Sequence, residues 1–287
     1  DDRARDVLYA VAAQSAPAMS RARLYDRERR TALVLERDLL PTDLPSRPDV
    51  VLAALMRPGA PQTRVGGDWY DVLEVDDHRV VVIIGDVMGK GIHAAAVMGR
   101  LRQSVRVLVS VDPSPASVVS GLDTVAAEVL DGRFATMTCA LLDTAAGTLT
   151  LTRAGHPPPV LREPGRPARL VEDAGSPPLG VGDEARPQAT LALAPGSLLA
   201  LYTDGLVEDR HRGLHFDDLL RAVDDLEAGP AADPAAAALA VMAATVRGQS
   251  ADDVALLVAS LPDPAVRPLN GRAQIRQRAR FDPASPG

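Results

Sequence analysis

From residue 49 onward the chain is written in short runs rich in Val, Leu, Ile and Thr, cut by Gly, Asp and Pro, and the runs come in pairs. "LEVDDHRVVVI" (73–83) and "CALLDTAAGTLTLT" (139–152) read as hairpins. Strands are predicted at about 49–56, 68–75, 79–86, 136–143, 147–153, 189–193, 197–203 and 254–260. Helices fit 92–109, 115–130, 216–227 and 233–247, the second opened by "DPSP" and closed by "DG". Helices thus fall two at a time between strand pairs. This segregation predicts an α+β chain of mostly antiparallel sheets covered by helices, rather than alternating βαβ units.

The ends follow other rules. Residues 1–16 read as a helix with Val7, Leu8 and Val11 on one side, and Pro17 is expected to interrupt it. A second helix follows, with Ala18, Ala22, Tyr25, Ala32, Leu35 and Leu39 near a seven-residue repeat over three heptads. That spacing fits either a helix packed on its own domain or a dimer seam, and "PTDLP" (41–45) stops it. Residues 263–287, dominated by Arg, Pro and Gln, are expected to form a disordered basic tail.

Length and a hydrophobic content of 46% allow a core. The net charge of −7 divides into a neutral stretch over 1–45, +3 over 263–287 and −10 between them, which disfavours a nucleic-acid surface. No apolar run approaches the roughly 20 residues needed to cross a bilayer, and no charged start followed by an apolar stretch suggests a signal peptide, so a cytoplasmic location is expected. Lys90 is the only lysine, an Arg bias typical of GC-rich bacterial coding. The single cysteine, Cys139, excludes an internal disulfide and a thiolate zinc site, and its place in an apolar run argues against a nucleophile. Because the first residue is Asp1, a longer parent protein is expected.

"IIGDVMGKGIHAAA" (83–96) invites a phosphate-loop reading, but the spacing fails. Three residues separate Gly85 from Gly89 where four are needed, and Gly91 follows Lys90 where a hydroxyl should be. What recurs is an aspartate at a strand end beside glycine: Asp68 in "VGGDWYD", Asp86 in "VVVIIGDVMG", Asp204 in "LLALYTDGLVE", and Asp252 with Asp253 before "VALLVAS". One such residue usually caps a turn. Four suggest carboxylates that converge, which is stable only if they are protonated or bridged by cations. An all-oxygen set selects Mg²⁺ or Mn²⁺, and two such ions about 3.5–4 Å apart would activate a shared water for phosphate-ester hydrolysis.

These motifs resemble the metal-dependent protein phosphatases of the PPM type, within them the bacterial stage II sporulation protein E branch. The resemblance covers about 34–260 and includes "LERDLLPTDLP", "VGGDWYDV", "IGDVMGKGIHAAAVMGRLR", "FATMTCALLD", "AGHPPPVL", "SPPLGV", "LYTDGLVEDR" and "ADDVALLV". It implies a four-layer αββα β-sandwich with helices on both outer faces, two Mn²⁺ or Mg²⁺ ions, and hydrolysis of phosphoserine or phosphothreonine by metal-bridged water. By position, Asp86 resembles the carboxylate shared by both ions, with the Val87 carbonyl beside it. Asp204 and Asp252 resemble ligands of one ion, Asp68 the acid that holds water on the other, and Asp253 a residue behind the ligands.

The resemblance further implies a PPM-type phosphatase domain at 46–262 and a coiled-coil-like regulatory linker at 18–45. Residues 1–17 would be the remnant of an upstream GAF-like sensor in cis, and the helices after "GKG" a switch element. A homodimer and a phosphorylated STAS-type anti-sigma-factor antagonist as substrate follow from the same resemblance. Departures are also visible. Met88 stands where eukaryotic relatives carry a histidine proposed as general acid, leaving His156, His93 or a water for that role, and Lys90 as an electrostatic phosphate contact. Arg57 and Arg64 are the nearest arginines for gripping phosphate. Two other readings compete: a catalytically inactive PPM-fold binding module, and a nucleotide cyclase suggested by "GGD" (66–68), against which Trp69 stands where an acid would be expected.

Overall fold

Strand Arg79–Val87, "RVVVIIGDV", is apolar at nearly every position because it is buried on both faces. Val80, Val82 and Ile84 point into one core, Val81, Ile83 and Val87 into another. The computed structural model describes residues 2–41, 43–57, 66–182, 185–209, 213–214, 216–226, 240–242, 244–245 and 253–262.

In chain order the elements are α1 (Asp2–Leu39), β1 (Val51–Arg57), β2 (Trp69–Glu74), β3 (Arg79–Val87), α2 (Ile92–Val111), α3 (Pro115–Val129), β4 (Ala135–Asp143) and β5 (Thr148–Ala154). They continue with β6 (Val160–Arg162), β7 (Arg169–Leu170), β8 (Gly175–Ser176), β9 (Ala189–Ala192) and β10 (Leu198–Tyr202). A 3-10 turn at Asp204–Leu206, the two-residue strands β11 (Glu208–Asp209) and β12 (Gly213–Leu214), α4 (Phe216–Asp224) and β13 (Val254–Ser260) complete the order.

Two sheets result. One has the order β1-β13-β10-β6-β7, the other β2-β3-β4-β5-β8 with β9 also on β5. Their pairings are antiparallel except β5 with β8. Three apolar cores stack accordingly. Leu199, Leu201, Ala255 and Leu257 meet Val80, Val82 and Ile84 between the sheets. Val81 and Ile83 face Met98, Leu101, Val105 and Leu122 of α2 and α3. Leu198, Ala200, Leu256 and Val258 face Leu219 and Val223 of α4. That is the expected αββα sandwich.

The expected break at Pro17 is absent, and α1 runs unbroken through it. A proline removes one amide donor and strains one turn, yet residues 11–24 are almost all exposed, so water can hydrate the carbonyl left unpaired. Strands β6, β7, β8, β11 and β12 were not expected, since two or three residues cannot display an alternation. Among the described residues no helix is long and apolar enough to cross a membrane. The expected tail at 263–287 and most of the expected helix at 233–247 lie outside the described residues, though 240–242 and 244–245 are helical.

Candidate metal centre

Antiparallel pairing brings the start of one strand beside the end of its neighbour, and this alone gathers the acidic motifs. Trp69 pairs with Gly85, so the next step of the same register sets Asp68 across from Asp86. In the other sheet Tyr202 pairs with Leu256 and the Thr203 amide donates to the Ala255 carbonyl at 3.0 Å, carrying Asp204 to the start of β13 beside Asp253. Arg57 pairs with Val254 and so ends β1 at the same edge.

One hydroxyl joins the sheets here. Thr203 Oγ1 donates to Asp68 Oδ2 at 2.7 Å and accepts from the Ala255 amide at 2.8 Å. Asp68 is 5% exposed, and its carboxyl is held well above the usual carboxylate range. Desolvation is the main cause and the Asp86 charge the next; the Thr203 bond opposes them, while Asp253 and Asp204 push the same way. Four acids distant in sequence therefore act on one another electrostatically. Asp252 and Arg64 lie outside the described residues.

The glycines explain how the strands approach so closely. A Cβ on Gly67 would stand 2.1 Å from the Val87 carbonyl oxygen and 2.7 Å from Asp86 Oδ1, and one on Gly66 would stand 1.8 Å from Asp253 Oδ2. Both oxygens expected as ligands, on Val87 and Asp86, thus border a space that any side chain at 67 would fill. The backbone there is fixed by the Val87 amide donating to the Gly67 carbonyl at 3.1 Å. Beyond it, "GKG" turns through positive φ at Gly89 (115°) and Gly91 (92°) before α2 begins.

Among the described residues no group of three or more His, Cys, Asp or Glu side chains is arranged so that it could hold a metal ion by itself. The fit rests on the donors and their charge. Asp68, Asp86, Asp204, Asp253 and the Val87 carbonyl offer only oxygen, and the carboxylates repel, which suits a hard divalent cation.

The histidines divide. His93 is exposed in the first turn of α2. His156 is buried between the sheets: Nε2 donates to the Tyr202 carbonyl at 3.1 Å, which leaves Nδ1 to accept from Thr136 Oγ1 at 2.9 Å. Burial lowers its pKa to about 3, so it is a neutral clip between β10 and β4 rather than a proton donor. Met88 is exposed, Lys90 half-buried. Burial pushes the Cys139 thiol up to about 12, which removes it as a nucleophile. Thr203 and Thr136 were missed in the sequence. The hydroxyl adjoining Asp204 in "YTDG" was the available signal for the first.

Comparison with known proteins identifies the family and the fold. The family model described as Stage II sporulation protein E (SpoIIE) matches residues 76–262. Phosphoserine phosphatase RsbP of Bacillus subtilis (strain 168) is 29% identical over 165 residues, covering 55% of this chain and 40% of that protein. The solved RsbU and RsbW domains of Rv1364c from Mycobacterium tuberculosis align with a TM-score of 0.70 at 32% identity, over 77% of this chain and 64% of that one. This chain thus spans less than two thirds of either. The catalytic domain of the serine threonine protein phosphatase PstP, solved in complex with 2 manganese ions, shares the fold at 18% identity and a TM-score of 0.56, over 75% of this chain and 99% of that one.

Proposed function

We infer that this chain, which belongs to the stage II sporulation protein E family, is a metal-dependent phosphatase acting on phosphoserine or phosphothreonine, with residues 46–262 as its catalytic domain. The observation that carries the reading is the meeting of Asp68, Asp86, Asp204 and Asp253 at one end of the sandwich. Asp86, the Val87 carbonyl, Asp204 and Asp252 would hold two Mn²⁺ or Mg²⁺ ions. Bound there, the ions would supply the Lewis acidity that activates water and screens the phosphoryl group.

The chain's own residues do the rest. Asp68, which accepts from the Thr203 hydroxyl, would align the attacking water. Gly66 and Gly67 let the backbone lie close against Asp253, Asp86 and the Val87 carbonyl, where a side chain would not fit. Arg57 ends β1 at the same edge, which makes it a candidate for reaching a substrate phosphate. His156 is already committed on both nitrogens, so protonation of the leaving alkoxide falls to water or another group.

The substrate we propose is a phosphorylated STAS-type anti-sigma-factor antagonist, supported by the likeness to phosphoserine phosphatase RsbP. In the same reading residues 1–17 are the end of a GAF-like sensor and 18–45 a regulatory linker that can pair two copies. The supporting contact is at the end of α1, where Leu39 packs so close to Gly99 of α2 that a Cβ would lie 2.8 Å from Leu39 Cδ2, and its carbonyl accepts from Arg102. Mn²⁺-stimulated turnover of p-nitrophenyl phosphate tests the chemistry: Asp86→Ala or a chelator should lower it by more than about 100-fold. Turnover indifferent to both sinks the mechanism, and stoichiometric partner binding without any metal-stimulated turnover makes the chain a binding module.

A further inference from the structure

The space between the two sheets changes character along its length. Its middle is filled by Val80, Val82 and Ile84 of β3 against Leu199, Leu201, Ala255 and Leu257 of the other sheet. At the acidic end the same two-residue alternation puts polar side chains on the facing surfaces, Asp68, Asp86 and Thr136 on one sheet and Thr203 on the other. Apolar contact is non-directional, whereas a hydrogen bond fixes both a distance and an angle. Two such links cross the gap here.

The first is His156, in the connection from β5 to β6. The register that sets Ala200 against Val160 brings Pro158 opposite Tyr202, and a proline has no amide to offer the Tyr202 carbonyl. His156 Nε2 donates to that carbonyl instead, at 3.1 Å, while Nδ1 accepts from Thr136 of the other sheet at 2.9 Å. The second link is the buried Thr203, whose hydroxyl accepts from the Ala255 amide at 2.8 Å and donates to Asp68 Oδ2 at 2.7 Å. Thr203 is also the residue before Asp204. One residue therefore grips an acid of one sheet with its side chain and carries an acid of the other on its backbone.

We propose that Thr203 is a positioning residue of the metal centre, its hydroxyl fixing the Asp68 carboxyl relative to Asp204. The inference rests on the metal-dependent reading of the site. Ligands on two separate layers must be held within about 0.5 Å of their working arrangement, and a side chain tied to both layers supplies that precision. Because His156 still ties Tyr202 to Thr136, losing the Thr203 hydroxyl should free Asp68 without parting the sheets.

The test compares four variants of the whole chain by calorimetric titration with Mn²⁺, by thermal unfolding without metal, and by p-nitrophenyl phosphate turnover. Thr203→Val and Thr203→Ala remove the hydroxyl with opposite steric consequences. Each should weaken Mn²⁺ binding by about 10- to 100-fold, the usual effect of removing a partner that orients a ligand, and turnover at a fixed Mn²⁺ concentration should fall with it. Thr203→Ser keeps the hydroxyl and should restore both. Leu219→Ala, in the core under α4, should unfold at a lower temperature yet bind Mn²⁺ as the unaltered chain does. Unchanged Mn²⁺ affinity in Thr203→Val or Thr203→Ala overturns the positioning role. So does an equal loss in Thr203→Ser or Leu219→Ala, which would trace the effect to packing, and so does failure of both hydroxyl-free variants to fold, which would make the bond one of stability. No Mn²⁺ binding by the unaltered chain overturns the metal-dependent reading itself and takes this inference with it.

Discussion

Asp68 and Asp71 stand three residues apart at the start of β2, both buried, at 5% and 0% exposure, yet their surroundings are opposite. Asp71 receives two arginines from one face of α2. Arg106 donates Nε at 2.8 Å and Nη2 at 3.1 Å, and Arg102 pairs through Nε at 2.9 Å. Asp68 receives one hydroxyl and faces three other acids. A buried carboxylate with fixed counter-charges holds a helix to a sheet. One surrounded by its own kind can only take a proton or wait for a cation from solution, and so marks the place where the chain acts on something outside itself.

The comparison breaks most visibly at Asp71. Asp71→Ala leaves the buried Arg102 guanidinium without a carboxylate and should lower the unfolding free energy by about 3–5 kcal/mol, read by urea titration. A loss under about 1 kcal/mol, the range of a surface ion pair, would mean that the two arginines are as well served by water. The opposite intervention sharpens the other half. Mn²⁺ at 100 times its dissociation constant should stabilise the chain by about 2.7 kcal/mol in a thermal or urea melt. Asp86→Ala should abolish that gain, and Asp71→Asn should keep it. A gain surviving Asp86→Ala would place the bound ion elsewhere.

Legibility in the sequence followed the same division. The eight longer strands were readable because four or more residues repeat a pattern, and the two-sided apolarity of "VVVII" announced a covered sheet. The acids at 68, 86 and 204 were readable because a charged residue ending an apolar run breaks its pattern. Their juxtaposition followed from register, which strand ends alone do not specify. The compensating partners were not readable. Nothing local marks Arg102 and Arg106, 31 and 35 residues beyond Asp71, as its counter-ions, and nothing in "FATMT" or "AGHPPP" says that Thr136 and His156 meet. Pro17 misled for the converse reason: a local rule was applied to a helix whose exposed surroundings let water make good the lost bond.

His156 shows a third way to bury a titratable group at this end of the molecule, with neither counter-ion nor metal, by keeping it neutral. Its folded pKa of about 3 lies below the usual 6.5, so folding disfavours its proton. The stability it contributes is complete above pH 6.5 and is lost as pH falls toward 3, amounting to about 2 kcal/mol by pH 5 at 1.36 kcal/mol per unit. Urea unfolding between pH 7 and 5 should therefore show a decline that His156→Gln flattens by about that amount, although the variant starts lower because it cannot reproduce both bonds to Thr136 and Tyr202. Equal slopes in the two proteins would mean that the ring gains a proton without leaving its place. The clip between the sheets would then be able to carry charge 4% exposed to water, and the contrast between Asp68 and Asp71 would lose its premise that burial at this end must be compensated.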